Sequence, residues 1–159
     1  MQLATMTTPA GPLTILTTDT GTVRAAAFTD DPGQLRVPVP PDLRPRRDLG
    51  EITVAVGAYL DGDLTAIDRV AVDQPPGGAF LDRVWDVLRQ TKPGAPVSYT
   101  QLAALAGRPA AVRAAAGACA RNHAALFVPC HRVLRADGSP GGYRWGLAVK
   151  EWLLRHEGR

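Results

Sequence analysis

A chain of 159 residues, 45% of them hydrophobic, can bury a real core as one ordinary domain or two small ones. It has no apolar run of the ~18 to 20 residues that a membrane span requires; Met1-Gln2-Leu3-Ala4-Thr5 lacks a basic stretch followed by an apolar core; and two cysteines, Cys119 and Cys130, without a Cys-x-x-Cys or clustered His and Cys, make neither a disulfide framework nor a zinc site. These exclusions predict a cytoplasmic protein with reduced thiols, no metal and no cofactor, and a formal charge of +3 agrees with a polyanionic partner without requiring one.

Residues 2–8, 13–18 and 22–28 are rich in Thr, Val, Leu and Ile and are separated by Pro9-Ala10-Gly11-Pro12 and Asp19-Thr20-Gly21, which predicts a small antiparallel meander. Residues 30–47 carry Pro32, Gly33, Pro38, Pro40, Pro41 and Pro45 with Arg44, Arg46 and Arg47, a composition that predicts an exposed, flexible loop. Its arginines are either solvated or an auxiliary DNA contact. Ile52, Val56, Tyr59 and Leu60 recur at helical spacing over 49–60, with Asp48 as N-cap and Asp61-Gly62-Asp63 as the stop. A short strand near Arg69 to Val72 is expected to complete the sheet, and Pro75-Pro76-Gly77-Gly78 marks a boundary between domains at 1–74 and 78–159.

The second half reads as mostly helical. Ala79 to Gln90 places Phe80, Val84, Trp85 and Leu88 on one face, and Pro93-Gly94 ends it. Ser98 can cap a helix over Tyr99 to Ala106, Gly107-Arg108-Pro109 makes a turn, and Ala110 to Arg121 forms a second helix, together a helix-turn-helix pattern. A last helix is expected over Leu147 to His156. The second helix is so rich in alanine that it suits either close approach to a narrow groove or helix propensity alone.

Chemistry concentrates in Leu126-Phe127-Val128-Pro129-Cys130-His131-Arg132-Val133. A cysteine acts as a nucleophile through its thiolate, which a base or a positive field must generate. His131 follows Cys130 directly, but adjacent side chains in an extended segment point to opposite sides, so a turn or a bridging water is required. The other reading of Cys130 is a small buried hydrophobe.

Pro129-Cys130-His131-Arg132-Val133, preceded by Asn122 and followed by Gly142-Tyr143 and by Leu153-Leu154-x-x-Glu157-Gly158, resembles the O6-alkylguanine-DNA alkyltransferases. Val97-Ser98-Tyr99, Gln101-Leu102-Ala103 and Ala111-Val112-Arg113-Ala114 stand in the family's order, so the resemblance runs from about Gly78 to Gly158. It implies an α+β protein: a small N-terminal ribonuclease-H-like sheet-and-helix domain, then a mostly helical domain with a winged-helix-like helix-turn-helix. It further implies direct-reversal DNA repair, in which methyl or other small alkyl groups pass once from O6 of guanine, with O4 of thymine as a further candidate, to Cys130. The expected enzyme is a single-turnover methylated-DNA–protein-cysteine S-methyltransferase.

The roles follow by the same resemblance. His131 takes the thiol proton through a water, Glu157 orients and stabilises the imidazole, and Asn122 ties the helix-turn-helix to the nucleophile segment. Tyr99 crowds the phosphate of the target nucleotide and donates a proton to the leaving base, with Lys150 near it. The expected partner is double-stranded DNA bound through the minor groove, with the alkylated base flipped out and Arg113 filling its place; Ala114, Gly117 and Ala118 lie along the contacting helix. Cys119, Val133, Tyr143, Arg144 and Trp145 are expected around the substrate. Cys119 is either a second thiol facing the pocket or plain packing, and Trp145 either narrows the pocket or packs its loop. No membrane and no obligate protein partner are implied, and a monomer is expected. The rival classes include a non-catalytic damage-binding module, which would lack the nucleophile, and an alkylation-sensing regulator, which would need a partner domain or a second reactive cysteine.

Overall fold

Strands at the start of the chain are rich in Thr and aliphatic residues, which suit a pleated, half-buried surface. The computed structural model describes residues 1–158. Strands β1 (Gln2–Thr8) and β2 (Gly11–Thr17) pair antiparallel from Gln2↔Thr17 to Thr8↔Gly11, β3 (Val23–Ala27) pairs antiparallel with β2, and β4 (Arg44–Pro45) lies parallel to β1, giving the order β3-β2-β1-β4. Leu13, Ile15 and Leu16 of β2 are buried with Val23, Ala25, Ala26 and Ala27 of β3. Thr14 is buried among them because its hydroxyl donates to the Thr29 carbonyl at 2.7 Å. Helix α1 (Glu51–Leu60) adds Ile52, Val56 and Tyr59 at helical spacing.

Four expectations for this half need correction. Residues 30–47 are not wholly irregular: Pro32–Leu35 forms a 3-10 turn with Leu35 buried, and Arg44–Pro45 is an edge strand, where a missing proline N–H costs little. Asp48 does not cap α1; the N-cap is Gly50 at φ +60°, while Asp48 accepts from the Gly50 N–H at 2.8 Å. No strand forms at 69–72, since Ala66–Arg69 is a 3-10 turn and Val72 makes a single parallel bridge to Val23. Finally, residues 123–127 cluster with 1–75, not with the second unit, because Ala124 bridges Ala26 at the β3 edge and Ala26 N–H donates to the His123 carbonyl at 2.8 Å.

The second unit comprises 76–122 and the chain from 128 onward. Helix α2 (Ala79–Gln90) buries Val84, Trp85, Val87 and Leu88; Phe80 is only half-buried, with the Arg108 guanidinium 5.4 Å from its ring centre, so Val87 takes its expected place in the core. Helices α3 (Tyr99–Leu105) and α4 (Val112–Ala120) pack against each other and against α2, and α5 (Leu147–His156) buries Lys150, Leu153 and Leu154. Short strands β5 (Val97–Ser98) and β6 (Val133–Leu134) pair in parallel. None of the described helices is long and apolar enough to cross a membrane.

Helix α3 begins in a reciprocal cap: Ser98 Oγ accepts from Gln101 N–H at 3.0 Å, and Gln101 Oε1 accepts from Ser98 N–H at 2.8 Å. Ser98→Ala should therefore lower unfolding free energy by about 1 kcal/mol, read as a lower denaturant midpoint at unchanged slope.

Candidate active site

The Cys130-His131 pair escapes the geometry of an extended strand because Cys130–Arg132 forms a 3-10 turn between Pro129 and β6. Asn122, just beyond α4, donates from Nδ2 to the Val128 carbonyl at 2.8 Å and to Cys130 Sγ at 3.3 Å. One amide thus fixes both the approach to the turn and the sulfur within it. Cys130 is buried, with 8% of the residue exposed.

His131 and Glu157 are buried together, with His131 Nε2 3.0 Å from Glu157 Oε2 and side-chain exposures of 0% and 1%. The same carboxylate is gripped by Arg132, whose Nε lies 2.8 Å from Oε1 and whose Nη2 lies 3.0 Å from Oε2. Arg132 Nη1 donates to the Thr91 carbonyl at 2.8 Å, tying the carboxylate to the end of α2. The other side of Glu157 is fixed by Gly94: at φ +77°, a Cβ there would stand 2.7 Å from the Glu157 carbonyl oxygen. Only glycine lets these two backbones meet so closely.

Burial and charge set the protonation states. Burial would raise the Glu157 carboxyl, but hydrogen bonds from His131 and Arg132, with their charges, outweigh it and hold the pKa at about 2. Burial depresses His131 despite the carboxylate beside it, keeping the ring neutral at pH 7. The Cys130 thiol is pushed up by burial, with the Asn122 hydrogen bond and the Lys150 charge pulling the other way. The Tyr99 phenol is pushed up to about 12 by burial and by the Cys119 and Cys130 sulfurs. The resting set is therefore thiol, neutral imidazole, carboxylate and phenol. Among the described residues, His131 Nδ1 is buried without a protein hydrogen-bond partner. That nitrogen suits a proton-accepting role, since Nε2 is occupied by Glu157.

Lys150 is wholly buried, and its ammonium donates to the carbonyls of Val133 at 2.6 Å, Pro140 at 2.5 Å and Gly142 at 3.2 Å. It holds the 139–142 loop against β6 and contributes positive field at the sulfurs. Gly141, at φ +70°, brings that loop against the phenol, since a Cβ there would lie 3.0 Å from Tyr99 Oη. Tyr143 and Trp145 are half-buried on the same loop, with the Arg144 guanidinium 4.6 Å above the Trp145 ring. Cys119 is part-buried on α4, and burial raises its thiol. Val133 contributes its carbonyl, its side chain being buried.

Along α4, Arg113 and Ala114 are exposed and Gly117 is partly so, but Ala118 is fully buried, which removes it from any contact with a partner on that face. The reason is packing: Ala115 and Ala118 face the core, and Trp85 Nε1 donates to the Ala118 carbonyl at 2.9 Å. Residues the sequence reading gave no role were Arg132 and Gly94. Arg132 carried a signal, a lone charge inside an apolar run, whereas Gly94 was indistinguishable from a helix-ending glycine.

A buried sulfur held by an amide, followed by an imidazole backed by an ionised carboxylate, defines a cysteine nucleophile or acceptor site. The family model for the 6-O-methylguanine DNA methyltransferase DNA binding domain matches residues 79–159. The chain is 54% identical over 81 residues to the bifunctional transcriptional activator/DNA repair enzyme Ada of Escherichia coli, covering 51% of this chain and 23% of that protein. It is 53% identical over 75 residues to the methylated-DNA–protein-cysteine methyltransferase of Homo sapiens, covering 47% and 36%. These matches span less than two thirds of either relative. In three dimensions it resembles Mycobacterium tuberculosis OGT in complex with DNA, with TM-score 0.85 and 30% identity over 99% of this chain and 92% of that one. The chain belongs to the 6-O-methylguanine DNA methyltransferase family.

Glu157→Gln should leave Arg132 buried beside a neutral amide and cost about 3 to 5 kcal/mol at pH 7. The wild-type carboxylate, depressed from 4.5 to about 2, contributes stability that is complete above pH 4.5 and is lost as pH falls through about 2. The gap between wild type and variant should accordingly narrow over that window in denaturant titrations at stepped pH; a constant gap contradicts the assignment.

Proposed function

We propose that the chain repairs alkylated duplex DNA by moving a methyl or other small alkyl group from guanine O6, and secondarily from thymine O4, to Cys130. The observation that carries this reading is the buried series Asn122, Cys130, His131, Glu157, in which a thiol, a neutral base and an ionised carboxylate are already in register. The non-catalytic rival is disfavoured by the same residues, which a damage-binding module has no use for.

In this mechanism Sγ attacks the alkyl carbon, the Sγ–C bond forms and the C–O6 bond breaks with its electron pair staying on guanine. The thiol proton passes through a water to His131 Nδ1, and Glu157 stabilises the imidazolium. Tyr99, kept protonated by its raised pKa, donates to guanine N3 and is reprotonated from the His131 side through solvent. The products are neutral guanine and a thioether. Because a thioether offers no leaving-group path back to thiol, each molecule reacts once.

Reaching O6 requires the nucleotide to leave the stack. We assign α3 and α4 to a helix-turn-helix, with winged-helix character, whose slender second helix enters the minor groove and whose exposed Arg113 fills the gap. We assign the first unit to a ribonuclease-H-like scaffold, and the protein to the cytoplasm as a monomer without a cofactor.

Incubation with duplex containing O6-methylguanine should add one methyl group to the intact protein, on Cys130, and stop at one equivalent. Cys130→Ala should bind the duplex and gain no mass. Sustained turnover, or methylation at another residue, overturns the assignment.

Arg144 stacked on Trp145 supports an oriented indole beside the pocket. A methyl group needs little room there, whereas a benzyl group has to lie along the wall, and overpacking of about 1 to 3 kcal/mol corresponds to roughly tenfold or more in rate. The benzyl-to-methyl rate ratio, measured with free O6-benzylguanine and O6-methylguanine duplex, should rise by about that factor in Trp145→Gly. An unchanged ratio makes the indole loop packing only.

A further inference from the structure

The parallel pairing of β5 with β6 has a consequence one residue past its end. Val97 is opposite Val133 and Ser98 is opposite Leu134, so Tyr99, which opens α3, and Arg135 are the residues that leave the two strands at the same end of the pairing. Arg135 is exposed, and among the described residues its guanidinium forms no ion pair or hydrogen bond.

Its backbone is held. Arg135 N–H donates to the Ser139 carbonyl at 2.9 Å, and its own carbonyl accepts from Gly138 N–H at 2.9 Å, which closes a tight turn over 135–139. The nearest acid in sequence, Asp137, uses Oδ1 on the Ser139 amide at 3.0 Å and hydroxyl at 2.6 Å. Those bonds, first the hydroxyl and then the amide, hold its carboxyl below the ordinary range, with the Arg135 charge a lesser contributor. The same charge reaches the phenol: it opposes the burial and the sulfurs that raise Tyr99. An exposed guanidinium on a held main chain thus stands within electrostatic reach of the Tyr99 phenol.

We propose that Arg135, next to the Tyr99 phenol, forms a phosphodiester site that grips one backbone phosphate beside the damaged nucleotide. This deepens the repair reading and rests on it. A hydroxyl alone is a weak, neutral donor, while a guanidinium supplies charge and a planar fork matched to two phosphate oxygens. The pairing gives the rotation of the nucleotide an attractive element to accompany the steric one: the phosphate moves toward Arg135 as the phenol displaces it. Arg135 is a positioning residue, since it touches the backbone and not the reacting atoms.

The test is binding of wild type, Arg135→Ala and Arg135→Lys to duplex over a salt series, in the Cys130→Ala background for duplex carrying O6-methylguanine and in the unaltered protein for undamaged duplex. Loss of one phosphate contact should flatten the slope of log affinity against log salt by about 0.9 in Arg135→Ala and weaken binding at low salt by about tenfold or more, while Arg135→Lys keeps the slope. A second arm replaces each phosphate flanking the lesion in turn by an uncharged methylphosphonate. One position should weaken wild-type binding and have no further effect in Arg135→Ala. A slope unchanged in Arg135→Ala, or methylphosphonate sensitivity equal in the two proteins, overturns the site. Reaction with free O6-methylguanine base should lose less than reaction with duplex in the variant, and an equal loss on base and duplex also overturns the site. A wild-type chain that binds duplex and gains no methyl group instead overturns the repair reading and leaves the salt and methylphosphonate arms standing.

Discussion

A carboxylate whose side chain is 1% exposed stays ionised only if the protein replaces the water it has lost, and Glu157 receives that replacement from Arg132 and His131 at once. The remainder of the site can be read from this sharing. Arg132 approaches both carboxylate oxygens, so much of the negative charge is balanced before His131 is considered. Burial, with the Arg132 charge a lesser contributor, keeps the imidazole out of its charged form, so it rests as a base oriented by the carboxylate. Arg132 also reaches the Thr91 carbonyl, and Gly94 meets the Glu157 backbone, so the end of α2, the catalytic turn and the end of α5 converge on one buried ion.

Lys150 does comparable work for the neighbouring main chain. Its three carbonyl acceptors belong to β6 and to the loop carrying Gly141 and Gly142, so a cation on α5 fixes main chain that the sequence leaves rich in glycine and proline. The protein thereby holds the loop near Tyr99 by charge, where side-chain packing is scarce. That positive field also favours the sulfur anion at the moment it develops, without ionising the thiol beforehand.

Much of this was legible in the residues. The helices α2, α3 and α5 announced themselves by apolar spacing and a capping serine, and the motif about Cys130 named its own partners through resemblance. What escaped reading was decided by contacts remote in sequence. Nothing local distinguishes Gly94 from any helix-ending glycine until Glu157 is folded against it, and the burial of Ala118 depends on Trp85 reaching its carbonyl from another helix. Residues 69–72 have strand propensity, yet a single bridge to Val23 is all the sheet edge accepts, because residues 123–125 occupy the next part of that edge. Asp48 looked like a cap by type, but the chain enters α1 through a left-handed glycine two residues later.

The raised Cys130 thiol has a meaning beyond rate. Peroxide and stray electrophiles attack thiolates, and a sulfur kept protonated and almost covered is a poor target for them. An ordinary enzyme can tolerate a reactive cysteine, since each catalytic cycle restores it. Under the single transfer proposed for Cys130, every accidental reaction destroys one molecule's entire working capacity. On that proposal, burial of the sulfur is a form of storage, keeping the unused thiol for its one reaction.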